Sequence, residues 1–294
     1  MTLAATRAAT GGMRVVPRAP LPLAALVAGR PAGEVAALLP RLFNLCRGAQ
    51  SLAADLALGL PPQVSMAALR AEILREHLCR LCLILPRLLG LSPLSMPAPE
   101  GAGALLGPAG RMPETVEALR DWTQGPAPLA PLMAALIAAL APGQATGPDV
   151  PLVTPATALQ LTAQENSAAG RCADHPLLRA LSAKGGRGPL WRLTGMLVDL
   201  ERTIAGHLPP AMTHKGTALV PAARGLYALR VELDSEGRVT RLDRATPTDH
   251  LLAPGGALQS ALDALPPARH ALAPLIVALH DPCVPVTLQE VQDA

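Results

Sequence analysis

Aromatic side chains are nearly missing from this chain: two tryptophans, one tyrosine and one phenylalanine stand among 294 residues. A core without large rings must be filled by Leu, Ala and Val, and Ala and Leu are strong helix formers. An excess of one charge is lacking as well. The net charge is +3 at pH 7, and no run of Lys or Arg interleaves with aromatic residues, which sets nucleic acid aside as a partner. Long hydrophobic runs are also scarce. The strongest, Leu129 to Leu140, falls short of the roughly 20 residues that span a bilayer, so it is read as a buried helix and no membrane span is expected. Arg7, Arg14 and Arg18 ahead of Leu21 to Val27 imitate the start of a signal peptide, but no cleavage site follows. Five cysteines at irregular spacing exclude a secreted disulfide framework and point to a reducing cytoplasm.

What the chain has in quantity is apolar residues, 50% of the total, cut by 32 prolines and 25 glycines. That combination predicts many short helices and rich connections. Residues 1 to 30 show no strong period and are read as a loosely ordered lead-in to a single domain over 31 to 294. Helical spacing is read over Pro31 to Leu39, Ser51 to Leu60 and Ser65 to Leu85, the last capped by Ser65. An irregular Pro/Gly-rich segment follows at 92 to 113, then helices over Pro113 to Gln124 and Pro131 to Leu140, and a break at 141 to 156. Leu159 to Leu181 and Leu190 to His207 read as helices on either side of KGGRG at Lys184 to Gly188. That glycine cluster lacks the Lys-Ser/Thr ending of a phosphate loop and is read as a turn. Alternation appears only late, in Gly225 to Asp243, which reads as a hairpin around Ser235, Glu236 and Gly237. Leu258 to Leu265 and Ala268 to Leu279 close the series as helices. The expected class is mainly α, as α+β, with a helical core and a small late β-hairpin.

Few residues carry chemistry. Cys46 stands in RLFNLCRGAQ, Arg41 to Gln50, and Cys283 in DPCVPVTLQ, Asp281 to Gln289. Taken alone, each is more readily a buried small hydrophobe, the usual fate of a free cysteine, than a ligand. Cys79 and Cys82 form a C-x-x-C pair inside a helical pattern, where core packing is the default. Cys172 lies near Asp174 and His175, a conceivable reactive unit made doubtful by Pro176. His77 on its helix is as readily a structural histidine as a site residue, Arg224 as readily a partner of a surface carboxylate, and Asp281 before Pro282 a turn cap. His207, His214, His250, His270 and His280 show no zinc spacing.

The segments RLFNLCRGAQ, RAEILREHL, ARGLYALRVELDSEGRVTRLDRATPTDH and DPCVPVTLQ, in that order, resemble the large subunit of nickel-iron hydrogenases, and more closely a shortened relative of it that serves hydrogenase formation. The resemblance covers roughly residues 31 to 90 and 160 to 289. In that family two motifs, each with two cysteines and a histidine, supply four thiolates to nickel and iron. Here Arg41 and Cys46 match the first motif, while Phe43 stands at its first cysteine, Asn44 at its glycine and Gln50 at its histidine. Asp281, Pro282 and Cys283 match the second, while Val286 and Gln289 replace its second cysteine and histidine. Glu76 and His77 stand at an Asp-His pair, and Arg224 matches the arginine of a Pro-Arg-Gly motif with Ala223 at the proline. The acidic residue that the family carries near its N-terminus has no match, Glu34 being the one carboxylate there.

Two thiolates of four do not make a nickel centre. The resemblance therefore implies a scaffold rather than an enzyme: Cys46 and Cys283 would be metal ligands for transient iron carrying cyanide and carbon monoxide, with no nickel. Arg224, Asp281, Glu76 and His77 would surround it. The implied partners are the small iron-carrier chaperones of hydrogenase maturation and the hydrogenase large subunit. A metal-free chaperone or decoy that mimics the large subunit is the alternative, and a residual redox enzyme a third reading. The iron reading requires folding to bring the two sulfurs together beneath a guanidinium.

Overall fold

The computed structural model describes residues 12–19, 21–43 and 45–291. Its first half runs β1 (Gly12–Pro17), α1 (Leu23–Val27), α2 (Ala32–Leu42), α3 (Arg47–Ala57) and α4 (Met66–Leu78). α4 continues as a π-helical segment, Cys79–Ile84, into α5 (Leu85–Leu88), followed by a 3-10 segment, Pro99–Leu106, and by α6 (Val116–Thr123) and α7 (Ala130–Ala139). The second half holds α8 (Ala168–Arg171), α9 (Pro176–Gly185), α10 (Pro189–Ile204), β2 (Met212–His214), β3 (Thr217–Ala222), β4 (Gly225–Leu233) and β5 (Val239–Ala245). α11 (Pro247–Leu252), α12 (Ala257–Asp263), a 3-10 turn at Pro267–Leu272, α13 (Ala273–His280) and β6 (Val286–Val291) complete it.

Local chemistry sets many of these ends. The hydroxyls of Ser65, Thr115 and Ser167 accept from backbone N–H groups in the first turns of α4, α6 and α8. α11 begins on a capping box between Thr246 and Asp249. Proline opens α9 and α10, where its missing N–H costs nothing. The glycines between those helices make the expected turn, with Gly186 at φ 71°.

Two main apolar clusters fill the interior. In one, α1, α2, α3 and the first half of α4 pack on the sheet through Leu39, Leu52, Leu69 and Ile73 against Val220, Tyr227 and Leu229. In the other, α10 is nearly buried along its length among α7, α9, α12, α13 and the end of α4, with Leu74, Leu78 and Leu81 in it. α4 therefore joins both, and its remaining face lies at their junction. The period of two along β3 sends Ala218, Val220 and Ala222 to the first cluster and Leu219 to a smaller one with Ala158, Ala228 and Ala245.

The expected hairpin is present as β4 and β5 but belongs to a larger antiparallel sheet of order β2-β3-β4-β5. Strand content is thus higher than a lone hairpin, because β3 is buried on both faces and β2 is only three residues long, so neither carries a clear alternation. The loosely ordered lead-in is corrected over 12 to 19 and 21 to 30, which hold β1 and α1; residues 1 to 11 and 20 lie outside the described part. β1 pairs antiparallel with β6 from Gly12↔Val291 to Pro17↔Val286, a contact between chain ends that local periodicity does not register. Leu159 to Leu181 is not one helix: its regular part starts at Ala168 and breaks before Pro176. The stretch ahead of it spends its side chains on tertiary bonds, as Asn166 does with both the N–H and the carbonyl of Leu226. The irregular 92 to 113 segment contains the 3-10 turn that buries Leu105 and Leu106 and gives Trp122 an acceptor at the Leu106 carbonyl, 2.9 Å away.

Helices α8 and α10 cross at Gly195, where an added Cβ would lie 2.2 Å from the Ala169 Cβ and 2.4 Å from its Cα. Gly195→Ala is expected to lower stability by about 1–3 kcal/mol despite its better helix propensity. Urea unfolding checks this, and a variant as stable as the parent would refute the close crossing.

Candidate functional site

The site is built on the junction face of α4. Glu72, Glu76 and Arg80 recur every fourth residue and so stack on one helical face. Glu72 accepts from the N–H groups of Gly48 at 2.7 Å and Ala49 at 3.3 Å, which seats its carboxylate on the first turn of α3. The residue preceding that turn is Cys46, held at φ 53°, ψ 41° in the left-handed region, a conformation that a non-glycine residue adopts only when its surroundings enforce it.

Arg224 reaches the same place from the tight turn between β3 and β4, where Ala222 and Gly225 pair. Its side chain is 2% exposed. Nη1 donates to the Cys46 sulfur at 3.4 Å, Nε to Asp281 Oδ1 at 2.9 Å, and both Nη groups to Glu76 Oε2 at 3.4 Å. Asp281 ends α13 at φ 51° and also pairs with Arg80. Two guanidiniums thus meet two carboxylates, a balance that a buried charge cluster requires.

Cys283 follows two residues after Asp281. Its N–H donates to Thr248 Oγ1 at 2.7 Å, and the Thr248 hydroxyl lies 3.0 Å from its sulfur. Burial pushes the Cys46 thiol up to about 11, with Arg224 opposing and the charge of Cys283 adding to the rise. Burial would lower the Arg224 pKa, but Asp281, Cys46 and Glu76 outweigh it and keep the guanidinium charged. The Asp281 carboxyl is shifted up by burial against the pull of Arg224 and Arg80.

Cys46, Arg224, Glu76 and Asp281 are therefore in one cluster, with Cys283 beside it on the Asp281 segment. His77 is not in direct contact with that cluster. It lies 2% exposed on another face of α4, with Nε2 2.7 Å from Asp199 Oδ2. Asp199 also receives Arg171 through Nε at 2.8 Å and Nη2 at 2.6 Å. Arg171 Nη1 then donates to the carbonyls of Ala222 at 2.9 Å and Gly225 at 3.1 Å, clasping the turn that presents Arg224. Asn166 holds the next residue of that turn, and at Gly225, φ 140°, an added Cβ would meet Asn166 Oδ1 at 2.3 Å.

Phe43, Gln50, Val286 and Gln289, which the resemblance sets at hydrogenase ligand positions, are engaged elsewhere in the fold. Phe43 lies under Arg244, 4.8 Å from ring centre to guanidinium carbon. Gln50 is buried and donates to the Leu45 carbonyl at 2.9 Å. Val286 and the exposed Gln289 lie on β6, and Asn44 is outside the described residues. Cys82 is buried in the core. The Cys172 thiol is pushed up by burial and by Asp199; His175 caps α9 by accepting from the Leu177 N–H at 3.3 Å and forms no unit with it. Among the described residues no group of three or more His, Cys, Asp or Glu side chains is arranged to hold a metal ion. A resident centre with four protein ligands does not fit; two thiols and a guanidinium are what the site offers.

Glu72 and Arg80 had a legible signal in their four-residue spacing with Glu76. Arg171, Asp199 and Asn166 had none, because their partners lie far away along the chain. Arg171 and His77 hold the Asp199 carboxyl well below the usual range despite its burial. Its stabilising contribution is therefore present above the ordinary carboxylate pKa of about 4 and is lost as the pH falls further. Asp199→Asn is expected to cost about 3–5 kcal/mol at pH 7 by stranding a buried guanidinium. It should also flatten the stability profile below about pH 4. Chemical denaturation across pH measures both, and an unchanged acid slope would count against this role.

No protein-family model matches the chain. Its fold is shared with a chain of an NAD+-reducing [NiFe]-hydrogenase in the H2-reduced state, at TM-score 0.51 and 15% identity over 92% of this chain and 98% of that one. It is also shared with a chain of the Ni-Fe-Se hydrogenase from D. vulgaris Hildenborough, at TM-score 0.58 and 12% identity over 91% of each. In sequence the chain is 50% identical over 284 residues to the hydrogenase expression/formation protein HupK of Rhodobacter capsulatus, covering 95% of this chain and 94% of that protein. At that level of identity along nearly the whole of both proteins, the chain belongs to the HupK family of hydrogenase expression/formation proteins.

Proposed function

We propose that this chain is an accessory scaffold of nickel-iron hydrogenase maturation, not an enzyme, which holds an iron-cyanide-carbonyl precursor through Cys46 and Cys283 and passes it to the hydrogenase large subunit. One observation carries the reading: a buried guanidinium, Arg224, in contact with one surviving thiol and with the carboxylate of the segment that bears the other. Iron arriving with its own cyanide and carbon monoxide needs few protein ligands, so two thiolates suffice to hold it and leave it releasable. Arg224 would donate to a cyanide nitrogen, a charge-assisted bond kept in place by Asp281 and Glu76. Nickel is not expected on so few thiolates. The working partners would be small iron-carrier chaperones and the large subunit itself, met in the cytoplasm.

A second reading, a metal-free chaperone or decoy, draws on the absence of a three-donor group among the described residues. The two separate in one experiment. Protein isolated with its maturation partners is expected to show infrared bands of iron-bound CO and CN that Cys46→Ser or Cys283→Ser abolishes. Iron-free preparations, with maturation still supported by the double variant, would leave the metal-free reading standing.

A further inference from the structure

Beside Arg224 lies a small cavity of about 20 Å³, walled also by Arg192, His280, Met196 and Ala223, and by Ser167 and Asp281, whose polar atoms are already engaged with Glu165 and with Arg224 and Arg80. That space exceeds what one water needs and admits a molecule of very few heavy atoms. Arg192 is 2% exposed and spends only Nη2, on Glu165 Oε2 at 2.9 Å. Its Nε and Nη1 have no partner among the described residues. His280 is 5% exposed, and its Nε2 is likewise without one.

The His280 tautomer follows from its other nitrogen. Nδ1 lies 2.8 Å from the Ile276 carbonyl, which can only accept, so Nδ1 carries the proton. Burial and the nearby Arg192 charge hold the ring well below its ordinary pKa, and Nε2 is left as a bare lone pair. The cavity therefore asks for two things at once: an acceptor for the Arg192 N–H groups and a proton for His280. A plain anion meets the first demand and fails the second. Charge gives it no compensation, since Arg192 is already paired with Glu165 and Arg224 with Asp281 and Glu76.

We propose that this cavity is an exchangeable binding site for one small neutral protic molecule, bound by Arg192 at its acceptor end and by His280 Nε2 at its proton. Water from solvent and hydrogen cyanide share that chemistry. The cavity shares its Arg224 wall with the iron reading, but neither Cys46 nor Cys283 takes part in it, so the two readings fail separately.

The test uses the full chain as Cys46→Ser/Cys283→Ser, stripped of metal, titrated near pH 7 with 13C-labelled cyanide, which is protonated at that pH, and separately with azide, which is anionic. A saturable bound cyanide resonance is expected. It should weaken at least tenfold in His280→Phe and vanish in Ala223→Leu, which fills the cavity from its wall; azide should not compete. Both variants are first checked for native circular dichroism, and Met196→Leu serves as a lining change that keeps both polar partners and should still bind. No bound resonance, leaving water as a fixed filler, overturns the proposal, and so does equal competition by azide, which marks an anion site. Loss of iron bands in the thiol variants would bear on the scaffold reading alone.

Discussion

A guanidinium taken out of water has to be met by negative charge and hydrogen-bond acceptors where it lies, or the fold loses several kcal/mol. Arg224 is that group here, and much of the surrounding architecture answers it. Glu76 comes from α4, Asp281 from the end of α13, and the Cys46 sulfur from the start of α3. Three segments distant in sequence are thereby fixed around one point. Arg80 extends the cluster by a second positive charge on Asp281, which keeps the count even.

The turn presenting Arg224 is as constrained as the side chain itself. Arg171 clasps its two flanking carbonyls, Asn166 holds the following residue, and Asp199 with His77 fixes Arg171. His77 therefore bears on the site through an intermediate rather than by contact. The left-handed backbone at Cys46 and at Asp281 points the same way, since such conformations persist when tertiary packing over-determines them.

Helices with clear period and caps were legible: α4 from Ser65, α6, α7 and α10 follow spacing and proline placement. So was the pairing of β4 with β5, from alternation around Gly237. Part of the cluster around Arg224 was legible, because Cys46, Glu76, Arg224 and Asp281 stand in segments whose order resembles a known family. Elements whose stability is non-local escaped: β1 finds its partner only at β6, β3 is covered on both faces, and the short, exposed β2 forms by pairing with it. The helical reading of Leu159 to Leu181 failed for a related reason, since Asn166 bonds to Leu226 on β4 and Glu165 to Arg192 on α10.

The sequence by itself determined the composition of the core, the places where most helices begin and the family to which the four ordered segments point, because these depend on short-range propensity and on residue identity. Tertiary structure alone decided that the Cys46 thiol touches Arg224, that His77 turns toward Asp199, and that Arg192 and His280 face a common cavity. Those outcomes depend on how α4, α10, α13 and the sheet pack, and close packing between elements far apart in the chain is set by their joint shape and not by any local pattern.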